Sequence, residues 1–202
     1  MKKGLMIVIS GPAGSGKGTV NAHLLKTGDF VYSVSATTRA PRPGEVDGVN
    51  YHFISREDFL ARIESGAMLE YTEYCGNFYG TPLKEAQAVL DSGKNLILEI
   101  EVEGARNVKA AYPDAVLIML LPPSFAVQEF RLRNRGTETE EKILERLTRT
   151  KEEIAQADCY DYVVYNYDGK DTEAAAEIQA IVSAENRAMR RNRDMVNTYF
   201  SH

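Results

Sequence analysis

The sequence predicts an α/β fold in which a parallel sheet lies between layers of helices, and three observations carry that expectation. Apolar runs at residues 5–9, 95–100 and 115–121 are nearly continuous, the pattern of strands buried on both faces. Helix-like segments alternate with them. The first run enters the stretch GPAGSGKGT, which is Gly11, Pro12, Ala13, Gly14, Ser15, Gly16, Lys17, Gly18 and Thr19, and VNAHLL follows with a helical look. Strand, glycine-rich turn and helix in that order make a phosphate-binding loop. The glycines let the backbone curl so that its N–H groups meet phosphate oxygens. The helix start adds the positive end of its dipole, and Lys17 reaches the outer phosphates.

The elements follow in order. Shorter strands are expected at residues 30–34 and 162–165. Helices are expected at 20–25, 82–90, 102–111 and 125–132, with a long periodic one at 138–157 and a last from about 172 to 191. His23 reads as an ordinary residue of the first helix. Residues 37–81 break the alternation: a turn-rich polar stretch, then helix-like EDFLARIESG, then MLEYTEYCGNFYG. They read as a small inserted lobe of short strands and one helix, between core segments 1–36 and 82–202. Residues 126–150 are arginine-rich and read as a helical lid within the core. Thr137 and Glu140 have the spacing of a capping box at the start of the lid's second helix.

The 202 residues suffice for one sizeable core and a small appended lobe. A formal net charge of -5 does not suggest a general nucleic-acid surface. The basic stretch at residues 187–193 reads as a solvated helix end. No apolar stretch approaches the ~20 residues of a membrane span. The apolar start runs straight into the phosphate loop without a cleavage pattern, so it reads as a strand and not a leader. Cys75 and Cys159 lack metal or CxxC spacing and read as free thiols in a reducing, cytoplasmic setting. Apolar helix positions suit either a core or a second subunit, which leaves a homo-oligomer open.

The loop departs from G-x-x-x-x-G-K-[ST] at one place: Gly18 stands where the hydroxyl belongs, and the hydroxyl comes at Thr19. Either Thr19 joins a magnesium shell, or water and substrate phosphates hold the metal. Elsewhere, Arg39 and Arg42 sit three apart, with Pro41 and Pro43 restricting the backbone. Two guanidinium groups held together suit a doubly charged anion such as a nucleoside monophosphate; the plainer reading is a solvent-facing basic loop. Tyr51 and Tyr79 are candidate hydroxyl donors to that phosphate. Tyr71, Tyr74 and Phe78 suit a wall for a base, although packing of the lobe is the preferred reading.

Glu70 is an acid in the apolar run MLEY. A carboxylate there accepts two N–H bonds from the Watson–Crick edge of guanine, whereas adenine presents an acceptor at its ring nitrogen. A buried acid needs such a partner. Ser35 and Thr81 are short hydroxyls suited to the same ring. Glu99 and Glu101 lie two apart at the end of LILEIE, where strand alternation puts both on one side, opening onto the phosphates. They suit magnesium waters or an acceptor-site arginine. Arg131, Arg133 and Arg135, then Arg146 and Arg149, can converge on a transferring phosphoryl group. Asn166 follows the last strand and suits the adenine end.

Taken together, GPAGSGKGT, SATTRAPRPGEVDGVNYHF, GNFYGTP and RGTETEE resemble the guanylate kinase family from Leu5 to at least Asp168. The resemblance implies ATP and magnesium as co-substrate and cofactor, and transfer of the γ-phosphoryl group to GMP, with dGMP as a slower acceptor. It places Arg39, Arg42, Tyr51 and Tyr79 on the GMP phosphate and Glu70, Ser35 and Thr81 on the base. Glu45 orients an arginine, Glu101 reaches the guanine side, and Glu99 acts near magnesium. Lys17, Arg131, Arg135 and Arg146 surround the ATP phosphates, while Arg133 and Arg149 are the weaker matches. Family members often carry aspartates at 99 and 101, and usually an aspartate directly after Asn166, where this chain has Tyr167 and then Asp168. GKGT alone would permit an adenylate kinase; the arginine–proline loop, Glu70 and RGTETEE argue against it. A silent binding module of the same family is disfavoured by the presence of Lys17 and the lid arginines.

Overall fold

The computed structural model describes residues 3–74, 76–136 and 139–201, less the side chain of Tyr74. Cys75, Thr137 and Glu138 lie outside the described residues, and with them the expectations placed there.

Five parallel strands form the main sheet: β1 (Met6–Ser10), β2 (Phe30–Tyr32), β7 (Asn95–Leu98), β8 (Val116–Leu121) and β9 (Tyr162–Tyr165), in the order β2-β7-β1-β8-β9. Alternation in β1 sends Ile7 and Ile9 to one face and Met6 and Val8 to the other. The first pair packs with Val20 and Leu24 of α1 (Lys17–Lys26) and with Ala174, Ile178 and Val182 of α7 (Asp171–Arg187). The second packs with Ala86 of α3 (Leu83–Asp91) and with Ala105 and Val108 of α4 (Val102–Ala111). Helices cover both faces, which is why the central strands carry so few polar residues.

A second sheet, in the order β4-β3-β6-β5, joins β3 (Ala36–Thr37), β4 (His52–Phe53), β5 (Met68–Tyr74) and β6 (Asn77–Pro82). Its helix is α2 (Arg56–Glu64), whose N-cap Ser55 accepts a bond from the Asp58 N–H. Phe59 stacks on Phe78 with ring centroids 5.3 Å apart, and Ala36 completes a small core of buried residues. The β5–β6 register shifts between Met68 and Glu70, a bulge that leaves both Leu69 and its neighbour Glu70 buried.

Beyond β8, α5 (Phe125–Asn134) and α6 (Glu140–Ala155) pack Leu132, Ile143 and Leu147 together against Ala13 of the phosphate loop. The cap of α6 is Thr139, which accepts from the Lys142 N–H. Two other boundaries differ from expectation. Strand β7 stops at Leu98 because the Ser10 hydroxyl takes up the Ile100 carbonyl and Glu101 becomes the N-cap of α4. The last long helix stops at Arg187. Ala188 turns extended there, and buried Glu185 draws back both Arg190 and Arg191. A short helix, α8 (Met195–Tyr199), follows. No helix among the described residues is long and apolar enough to cross a membrane.

Candidate active site

The phosphate loop is fixed from three sides. Gly11, Gly14 and Gly16 have φ of 158°, 86° and 88°. At Gly14 and Gly16 this is the left-handed region that side chains resist. At Gly16 a Cβ would also stand 2.3 Å from Nδ2 of Asn166. That amide donates to the Ser15 carbonyl at 2.9 Å. Asn166 therefore lies under the loop as a brace. On another side, buried Gln128 of α5 donates to the Ala13 carbonyl at 2.9 Å and to the Thr150 hydroxyl of α6 at 2.7 Å. Arg131 donates to the carbonyls of Gly14 and Asn166 and pairs with Asp168 at 2.6 Å. Asp168 is thus the partner of Arg131.

Lys17 folds back on the loop, donating to the Gly11 carbonyl at 2.5 Å. Burial lowers its pKa from the ordinary 10.5, against the attraction of Glu99, Glu153 and Glu101. The charge of Arg146 pushes in the same direction as burial. Two cations from separate elements are therefore held close enough to repel, the situation a polyanion relieves. Arg135 caps α5 with an exposed side chain, and Arg146 projects from an exposed position of α6. Arg133 pairs with Glu129 and Glu140, and Arg149 with Glu101 and Glu153, so both arginines are engaged at surface carboxylates.

The two glutamates after β7 part company. Glu99 accepts on Oε2 from the Asn21 amide at 2.8 Å and the Tyr32 hydroxyl at 3.1 Å, whereas Glu101 pairs with Arg149. The one-sided alternation expected of them does not apply, because the strand ends before either residue. In α4, the residue that abuts Glu70 is Gly104: a Cβ there would be 3.3 Å from Glu70 Oε2. Thr19 sits exposed on α1, about 100° round the helix from Gly18.

In the lobe, Arg39 makes a two-pronged pair with Glu45, both bonds 2.9 Å, and Glu45 also accepts from the Arg42 N–H at 2.7 Å. These donors hold the Glu45 pKa down to about 2. Arg39 lies over the rings of Tyr51 and Phe53 and bonds the Tyr79 hydroxyl; the Tyr51 and Tyr79 rings meet edge-on at 6.1 Å. Arg39, Glu45, Tyr51 and Tyr79 thus form one cluster, with the exposed side chain of Arg42 at its edge. Glu70 is 6% exposed, and its Oε1 accepts from the Thr81 hydroxyl at 2.8 Å. Burial raises its pKa above the ordinary 4.5. Ser35 is half-buried just before β3, its carbonyl accepting from the His52 N–H. Phe78 packs the lobe core, and Tyr71 is exposed.

Sequence reading missed Gln128, Asn21 and Gly104. Gln128 and Asn21 are polar residues in helices whose burial, at 1% and 2% exposure, no local pattern announces.

Comparison with known proteins agrees with this geometry. The family model described as guanylate kinase matches residues 3–185. A guanylate kinase of Halalkalibacterium halodurans is 55% identical over 186 residues, covering 91% of this chain and 90% of that protein. One from Clostridioides difficile is 47% identical over 197 residues, covering 97% and 95%. The crystal structure of guanylate kinase from Anaplasma phagocytophilum superposes with a TM-score of 0.78 at 33% identity, covering 100% of this chain and 98% of that one.

Proposed function

The chain belongs to the guanylate kinase family and transfers a phosphoryl group from ATP to GMP, and we propose that it does so by in-line attack between the phosphate loop and the lobe at residues 37–81. On this reading residues 1–36 and 82–202 are the core, 126–150 its lid, and closure of lobe and lid excludes water from the reaction. The acceptor phosphate oxygen is already anionic near neutral pH, so no strong general base is needed. Lys17, Arg135 and Arg146 offset the charge on the transferring group, and Arg131 braces the loop. Arg39, Arg42, Tyr51 and Tyr79 hold the GMP phosphate, with Glu45 keeping Arg39 in place. Glu70, Ser35 and Thr81 read guanine, and dGMP is a slower acceptor.

Magnesium would supply further charge stabilisation at the ATP phosphates, with Glu99 and Thr19 the candidates to hold it or its waters. The donor set suits such an ion through water. Among the described residues no group of three or more His, Cys, Asp or Glu gathers as a protein cage, and of the acids that act on Lys17 the strongest is Glu99. The two cysteines and the ordinary charge balance support a cytoplasmic setting acting on small molecules, without nucleic acid or membrane.

The observation that carries this reading is buried Glu70, an acid whose carboxyl is bonded by Thr81 and backed by Gly104 in a lobe otherwise built for an anion. ADP release with ATP and magnesium, compared across GMP, dGMP, AMP, UMP and no acceptor, tests it. Turnover confined to the guanine nucleotides is expected. Turnover with another monophosphate would overturn the role of Glu70, and binding of GMP without any turnover would point to a silent module.

A further inference from the structure

Asn21 has no role in the scheme above, yet it is 2% exposed on the helix that carries the phosphate loop. Its Nδ2 donates to Glu99 Oε2 at 2.8 Å, which fixes the orientation of the amide: the reverse orientation would set two acceptors against each other. Its Oδ1 is buried with no hydrogen-bond partner among the described residues. An orphaned buried carbonyl is destabilising, so it calls for a ligand.

The helix geometry indicates where that ligand would lie. Side chains on an α-helix lean back over the preceding turn, and residues three and four apart share a face. Asn21 therefore shares a face of α1 with Lys17 and Gly18, its side chain more than 4 Å from where a Cβ of residue 18 would stand. Gly18 is the position where the loop pattern has a hydroxyl, and a Cβ built there meets nothing within 4 Å. The space beside the missing hydroxyl is open, and the next polar side chain along that face is the amide that also holds Glu99. Thr19 is turned about 100° away.

We propose that Asn21 is a positioning residue that stands in for the hydroxyl absent at Gly18, its Nδ2 holding Glu99 and its Oδ1 accepting a hydrogen bond from a water of the nucleotide-bound magnesium. This rests on the reading of the loop as an ATP–magnesium site. Both ends of one amide then serve the metal: one orients an acid beside Lys17, the other orients a metal water. Tyr32 supports the same Glu99 oxygen from the far side.

The test is calorimetric and needs no turnover. ATP is titrated into the full chain in EDTA and again in excess magnesium, and the ratio of the two dissociation constants is the metal's contribution. Asn21→Leu is expected to cut that ratio by about 10-fold, the usual loss when a residue orienting metal ligands is removed. Gly18→Ser in the Asn21→Leu background is expected to restore most of it, because it returns a hydroxyl to the open space. A residue that only packs the helix would not be rescued this way. If Asn21→Leu does not fold, Tyr32→Phe gives a smaller loss in the same ratio. An unchanged ratio in Asn21→Leu, or in Tyr32→Phe where that variant must be used, would overturn the inference. So would a loss that Gly18→Ser leaves unrepaired. Absence of any magnesium effect in the wild type would overturn the ATP–magnesium reading itself, and this inference with it.

Discussion

The phosphate loop and the acceptor lobe solve the same problem, holding an anion, in opposite ways. The loop is pinned to the main core: Asn166, Gln128 and Arg131 each donate to one of its carbonyls, and Ala13 packs under the lid helices. Its shape is set before any nucleotide arrives, so binding requires little ordering. Among the described residues the lobe's buried core is Ala36, Phe59 and Phe78, and Arg39, proposed to hold the acceptor phosphate, is itself held by an acid of the lobe, Glu45. The donor site is a fixture of a five-stranded sheet, while the acceptor site is a small body that keeps its cations ordered with an internal anion. Water exclusion by closure suits that division, because the small body is the one that can move without disturbing the loop.

The largest expected effect lies on the fixed side. Lys17→Met should lower kcat by about 10³-fold, the upper range for loss of one preorganised donor, while calorimetry still finds GMP binding. Loss of GMP binding along with kcat would show that the two regions are not separable. Phe59→Ala removes the central ring of the lobe core and should cost about 3–5 kcal/mol of local stability. The expected signature is abolished GMP binding with ATP binding retained, and hydrogen exchange rising in β3 to β6 while β1 and β8 stay protected.

Glu70 gives a pH test. Its folded pKa is raised above 4.5, so the carboxylate proposed to accept guanine is complete only above that raised value and is lost as pH falls through it. The KM for GMP should therefore rise on acidification, and Glu70→Gln should show a higher but flatter KM. The sign for the free protein is opposite: burial of this acid costs stability at neutral pH, and the cost is relieved as the proton is taken up. Glu45 behaves differently, since its pKa is held at about 2 and its clasp on Arg39 lasts until the pH falls that far. The smallest effect is expected from Glu45→Gln, no more than about a five-fold rise in the GMP KM, because pairs near solvent contribute little. A larger effect would mean that Arg39 depends on Glu45 for its position throughout the reaction.

Much of this was legible in the sequence for physical reasons. Strands buried on both faces must be apolar throughout, so β1, β7 and β8 were visible as runs. The loop needs glycine where φ is positive, so Gly14 and Gly16 stand in a recognisable spacing. The arginine–proline loop and its glutamate are close in sequence, so their cluster follows from local chemistry. What stayed hidden depends on distant partners. Asn166 meets the loop across 151 residues and Gln128 across 115, and no periodicity encodes such a bond. The end of β7 was misplaced because Ser10, 90 residues away, takes the Ile100 carbonyl, and this separated Glu99 from Glu101. The bulge at Leu69 and Glu70 was hidden as well, since it is a property of the β5–β6 pairing and not of either strand alone.

The most direct test of the account is the ratio of kcat/KM for GMP over IMP, measured in the wild type and in Glu70→Gln. IMP keeps the ring N–H of guanine but lacks the 2-amino group, so it removes one of the two bonds assigned to the carboxylate. A strong wild-type preference for GMP is expected, falling by about 10-fold or more in Glu70→Gln, with the KM for ATP unchanged. A ratio that survives the substitution would contradict it and assign guanine recognition to other residues of the lobe.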